Sequence, residues 1–247
     1  MGADILSLDD YISVFESYLK RCIDFGIVCI KDQTAYRRVI KYSYPARYEA
    51  ECIFNRILTN PRETFGDNEV RALDDWLFHQ FMQLAKKYGL PVQLYTGHMS
   101  GLRNDIVKTN AIYLTSIIEI YKEIKFDLFH GNWPYMGELL FLGKSYPNVW
   151  IDLCWVQAID PLYSVELMKR ALITVPHSKI MAFGGDTIDP EWAIGYLVQA
   201  KENTAVALSE MTDCGYINLN EAKQIALDWF FNNPNEFFKV GFESLKC

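Results

Sequence analysis

Phe126-Asp127-Leu128-Phe129-His130-Gly131 is a short, almost continuous apolar run that stops on a polar pair. Such a run suits a strand buried on both faces, the kind found in parallel sheets. The unit recurs downstream. Helical spacing over 137–144 leads to Val149-Trp150-Ile151 ending at Asp152, and helical spacing over 165–173 leads to Ile180-Met181-Ala182-Phe183 ending at Gly184-Gly185-Asp186. It recurs upstream as well. A helix over 112–121 precedes Phe126, and a helix over 69–87, stopped by Gly89-Leu90-Pro91, precedes Val92-Gln93-Leu94-Tyr95 and its end at Thr96-Gly97. At the front, Ser7 and Asp10 open a helix that runs to Gly26, and Ile27-Val28-Cys29-Ile30 closes on Lys31. Residues 32–68, broken by Pro45, Pro61 and Gly66, read as short helices and loop. Helices over 191–210, 221–231 and 235–240 complete the chain. Strands alternating with helices predict a parallel sheet covered by helices and argue against all-α and all-β folds.

In such folds ligands and catalytic groups gather just past the C-terminal ends of the strands. Here those positions hold Lys31, Tyr95 to His98, His130, Asp152 and Asp186. Imidazole and carboxylate are ordinary ligands of Zn²⁺, so His130 and Asp186 are candidate metal ligands. On spacing alone, His130 also reads as a hydrogen-bonded structural residue and Asp186 as the cap of the next helix. Arg37 and Arg38 suit bidentate capture of a substrate carboxylate or, equally, surface ion pairs. Trp133 and Trp155 follow strand ends, where they would wall a pocket or fill the core. His79 and His177 read as structural or exposed.

With 24 Lys+Arg against 31 Asp+Glu the net charge is −7, which argues against general nucleic-acid binding. Half the residues are hydrophobic and 15% are aromatic, excluding a disordered chain. No segment supplies the ~18 uninterrupted apolar residues of a membrane span, and no leader-like start is visible. The six cysteines lie far apart without a C-x-x-C pair, so reduced thiols and a cytoplasmic setting are expected. The expected partners are a small-molecule substrate and a second copy of the chain, with neither nucleic acid nor membrane.

The wording of the strand ends carries a resemblance. Pro91-Val92-Gln93-Leu94-Tyr95-Thr96-Gly97, His130 with Pro134-Tyr135, Pro147-Asn148-Val149-Trp150-Ile151-Asp152, Lys179-Ile180-Met181-Ala182-Phe183-Gly184-Gly185-Asp186 and Lys31 with Ala35-Tyr36-Arg37 resemble, in order, segments of the amidohydrolase-related branch of the metal-dependent hydrolases, which includes the amidohydrolase domains of nodulin-like proteins. The resemblance implies a (β/α)8 TIM barrel with one or two divalent metals, zinc being the expected ion, at its C-terminal mouth. It implies that His130 and Asp186 ligate the metal, His130 otherwise serving as a base beside it, and that Asp186, His130 and Lys31 are catalytic; Arg37, Tyr95, Trp133 and Trp155 are the candidate substrate contacts. The activity implied is attack of metal-activated water on an amide, ester or lactone. The alternatives are a decarboxylase or isomerase of the same fold, or an inactive remnant that binds a ligand or another chain.

Two departures qualify it. Tyr95 stands where the family has His, and a phenol with a pKa near 10 is a poor zinc ligand; His98 is a displaced replacement or a structural residue. The family's H-x-H is absent. About five strand units are found where a closed barrel needs eight. The expectation is therefore one domain over 1–247 that is incomplete, with strands four to eight present, zinc weakly held, and exposed sheet edges favouring self-association.

Overall fold

The structure is a computed structural model that describes residues 4–247. Its centre is a parallel sheet of five strands in consecutive order, β1 (Ile30–Asp32), β2 (Val92–Tyr95), β3 (Phe126–Phe129), β4 (Val149–Asp152) and β5 (Ile180–Met181). Each strand pairs parallel with the next. Consecutive order with a connection after every strand is the winding of a TIM-barrel sheet rather than of a doubly wound one, whose order reverses. The fold is α/β of TIM-barrel type, with five parallel strands among the described residues.

The helices are α1 (Leu8–Phe25), α2 (Arg47–Thr59), α3 (Asp67–Tyr88), α4 (Thr115–Ile120), α5 (Met136–Ser145), α6 (Val156–Ile159), α7 (Pro161–Thr174), α8 (Pro190–Asp213), α9 (Leu219–Leu227) and α10 (Asn233–Phe237). Local chemistry sets several ends. The Ser7 hydroxyl accepts from Asp10 N–H to start α1, and Gly26 and Gly89 leave α1 and α3 in the left-handed conformation. Val92, Leu94, Phe126, Leu128, Val149, Ile151 and Ile180 are buried with Ile117, Leu139, Leu142, Leu167 and Ala171 in the main core. A second cluster joins Leu8 of α1, Ala50 and Phe54 of α2, and Leu73 and Trp76 of α3.

Four expectations shift. The run 27–30 is not the first strand. Pairing of Ile30 with Val92 and Asp32 with Leu94 moves the strand along the chain, so Lys31 lies within it. The segment 32–68 contains a full helix, α2, whose start is held by the Glu49 carboxylate accepting from Ala46 N–H at 2.8 Å. The helix over 112–121 is instead a series of 3-10 turns leading into the six-residue α4. The last strand stops at Met181 because the Ala182 N–H donates to Trp229 O rather than to a neighbouring strand.

His79 is a satisfied core residue, its ring nitrogens 2.7 Å from Tyr121 Oη and 2.8 Å from Ser43 O. Lys179 is buried beneath α5, where its ammonium donates to the carbonyls of Gly143 and Tyr146 at the end of that helix.

Candidate functional site

Alternation along a strand puts every second residue on one face. Cross-strand register then aligns Lys31, Gln93 and Asp127 in one row and Tyr95 with Phe129 in the next. Lys31 and Tyr95 therefore project from the same face toward the end of the sheet. Past β5 the chain turns through Gly184-Gly185 and delivers Asp186 to them. A side chain at Gly184 would put its Cβ 2.8 Å from that of Cys154, so only glycine lets the chain pass so closely.

Lys31 Nζ donates to Asp186 Oδ1 at 2.5 Å, and Tyr95 Oη donates to Oδ2 of the same carboxylate at 2.9 Å. His130 Nε2 stands 3.6 Å from Asp186 Oδ2. The other ring nitrogen of His130, Nδ1, is 3.4 Å from Cys154 O, which assigns its proton to that carbonyl and leaves Nε2 with a lone pair. Nε2 is buried and has no hydrogen-bond partner. The Trp155 indole stacks on the His130 ring with centroids 4.0 Å apart and donates to Asp186 O at 3.1 Å.

The backbone is strained at the same place. Six non-glycine residues have positive φ among those described, and His130, Asn132, Trp155 and Asp186 are four of them. Holding them there costs on the order of 1–3 kcal/mol each, and such strain concentrates where geometry serves function. Asp186 does not cap the next helix, since α8 begins at Pro190.

Burial holds the His130 imidazole down to about 3, against the opposing pull of Asp186, so the ring is neutral at physiological pH. Burial and, opposing it, the Lys31 ammonium act on Tyr95; burial wins and pushes the phenol up to about 12, keeping it a proton donor to Asp186. For Lys31 burial pulls down, but the hydrogen bonds to Asp186 and Tyr95 outweigh it and raise it, so it is an ammonium. Beneath the cluster lies a second pair of acids. Asp127 is fully buried, accepts from Gln93 Nε2 at 2.7 Å and leaves Oδ1 without a partner. Burial and then the charge of Asp152 hold its carboxyl well above the carboxylate range. Asp152 itself, with Oδ1 accepting from Cys154 N–H at 2.7 Å, is pushed by burial up to about 7.

A cavity of about 910 Å³ opens beside Asp186, lined by Trp155, His98 and residues of α6 and α8. Of the residues singled out from the sequence, Lys31, Tyr95, His130, Trp155 and Asp186 come together. The Trp133 indole instead donates to Asp160 Oδ2 at 3.2 Å, with its ring edge-on to His98. Arg37 does not join them. Its guanidinium is exposed and spans Asp67 and Asp74 at 3.4 and 3.7 Å, because two acids of α3 are nearer to it than the sheet's end. Sequence reasoning passed over Gln93, Asp127, Trp192 and Tyr196. The signals were a mid-strand Asp in an otherwise apolar run, in the same register row as Lys31, and an aromatic pair spaced i, i+4 on α8.

Among the described residues no group of three or more His, Cys, Asp or Glu side chains is placed to hold a metal. His130 Nε2 and the Asp186 carboxylate are two donors. Two ligands of one tetrahedral zinc stand about 3.4 Å apart, close to the separation here, and the unpartnered Nε2 lone pair is what a metal would occupy. The two residues thus fit as part of a metal site.

The fold and the strand-end cluster define an α/β protein of TIM-barrel type with its polar site at the C-terminal ends of the strands. The amidohydrolase family model matches residues 46–232, and the chain belongs to that family. It is 27% identical over 183 residues to Protein fluG of Emericella nidulans, covering 70% of this chain and 20% of that protein. Among solved structures, a Lactobacillus casei protein assigned as a metal-dependent hydrolase superposes with a TM-score of 0.81 at 16% identity, covering 95% of this chain and 61% of the other. Glucuronate isomerase from Caulobacter crescentus gives 0.75 at 17% identity over 98% and 53% of the two chains. Uronate isomerase from Thermotoga maritima gives 0.77 at 14% over 94% and 54%. The chain spans a fifth of fluG and under two thirds of each of these structures.

Proposed function

We propose that this chain carries the acid–base centre of a hydrolase that adds water to an amide, ester or lactone carbonyl. The observation that supports this most is the convergence of Lys31, Tyr95 and His130 on one carboxylate, Asp186, at the mouth of the sheet. In this reading Asp186 takes the proton of the attacking water. The Tyr95 phenol and Lys31 ammonium fix the carboxylate's orientation, and the Lys31 charge is beside the place where the carbonyl oxygen becomes negative. Neutral His130, held by Cys154 O and stacked on Trp155, presents Nε2 to the same place, as an acceptor from the water or, when a divalent metal is bound, as its ligand.

His130 and Asp186 are the residues that would hold a divalent metal, zinc by the chemistry of the donors. Bound there, it would polarise the carbonyl and acidify the water. Lys31 shares the Asp186 carboxylate with that position, and a third donor is lacking among the described residues, so this chain's own hold on the metal is weak.

Hydrolysis of a panel of amides, esters and lactones, assayed with zinc supplied, tests the reading. Asp186→Asn should lower the rate by about 10²-fold or more. Turnover at the wild-type rate in Asp186→Asn would place the chemistry elsewhere.

A further inference from the structure

The cavity beside Asp186 carries information about what it accepts. Its inner wall is the Trp155 indole, whose position is fixed by the stack on His130 and the bond to Asp186 O. Its outer wall is Trp192 with Tyr196, one turn apart on α8, rings edge-to-face at 6.5 Å. Ile159 and Ile188 add apolar surface to the lining. None of the described residues lining it is Lys or Arg. Of its two acids, Asp186 is already paired with Lys31, and Asp189 is exposed and solvated. Between the aromatic walls a substrate carboxylate would find no Lys or Arg to pair with, since the Lys31 ammonium is engaged by Asp186, and a substrate cation would find no buried carboxylate left unpaired. Flat aromatic walls without an available charge select an uncharged, planar apolar group.

From this, and resting on the hydrolase reading above, we infer that the substrate carries a neutral aromatic group that lies between Trp155 and Trp192 while its scissile carbonyl is presented to Asp186. The inference separates this chain from the uronate isomerases whose fold it shares, since those enzymes are named for an acid sugar.

Titration calorimetry on the full chain, with N-benzylacetamide as neutral aryl probe and D-glucuronate as anionic probe, tests it. The aryl amide should bind at least tenfold more tightly than D-glucuronate. Trp192→Ala should weaken aryl binding by about three- to tenfold, the range of a lost aromatic contact, and Trp192→Phe should recover most of it. Trp192 is 60% exposed, so the variants should fold as the wild type does. D-Glucuronate binding as tightly as the aryl amide, no saturable heat with the aryl amide, or an unchanged dissociation constant in Trp192→Ala would overturn the inference. Turnover is read separately: saturable aryl binding without hydrolysis would support this inference and count against the hydrolase reading alone.

Discussion

Asp152→Asn should stabilise the protein progressively as pH rises from 5 to 8. The Asp152 carboxyl is 4% exposed, and burial, partly offset by the Cys154 N–H, moves its pKa from 3.8 to about 7. At 1.36 kcal/mol per pH unit, ionising it in the folded chain costs on the order of 4 kcal/mol more than in the unfolded chain. The folded state holds this proton more tightly, so stability is greatest below pH 3.8 and falls as pH climbs through about 7. Roughly 2–3 kcal/mol of that loss lies between pH 5 and pH 8. Asparagine is neutral throughout and keeps an oxygen for the Cys154 N–H. The difference in unfolding free energy, variant minus wild type, should therefore grow by about 2–3 kcal/mol over that range in urea titrations at pH 5, 6, 7 and 8. A difference flat to within about 0.5 kcal/mol would refute the claim that Asp152 ionises at a cost inside the fold.

At Gly97, φ is +66° and an added Cβ would meet backbone atoms of Asn132 and Trp133 at 2.5 Å, so Gly97→Ala should cost about 3 kcal/mol or more; a melting temperature within ~2 °C of wild type would contradict the close approach. Tyr95→His places an imidazole beside Asp186, and calorimetric titration with Zn²⁺ should show affinity about tenfold or more above that of the wild type. Stoichiometric zinc surviving dialysis of the wild type would show that more ligands are in place than His130 and Asp186.

The strand ends were legible because burial on both faces leaves one signature, an apolar run interrupted by the first residue allowed to be polar. That places Tyr95, His130 and Asp186 at one end of a sheet before any coordinate is known. The N-terminal third resisted for physical reasons. The apolar side of α2 is narrow, Ala50 and Phe54 with Ile53 and Ile57, and it becomes helix-defining only when Leu73 and Trp76 pack on it. The run Ile27-Val28-Cys29 is as apolar as a strand, yet register with β2 decides which residues pair. Arg37 illustrates another limit: whether an arginine faces substrate or Asp67 and Asp74 depends on where α3 lies, which its neighbours in sequence do not encode.

Tyr95, where the resemblance leads one to expect a histidine, and the pairing of Lys31 with Asp186 are one feature seen from two sides. A histidine would bring a second lone pair toward Asp186, and two lone pairs beside a carboxylate call for a cation between them. A phenol pushed up to about 12 brings a proton instead. Together with the Lys31 ammonium it gives both oxygens of Asp186 a donor, at 2.5 and 2.9 Å, so the carboxylate is satisfied by the protein's own hydrogens. The lone pair left over is His130 Nε2, buried and neutral because burial holds the ring down to about 3. Whatever binds at this mouth meets a fixed anion on one side and that buried acceptor on the other. The group best served by both is one with a proton to share between them, as the attacking water of a hydrolase has.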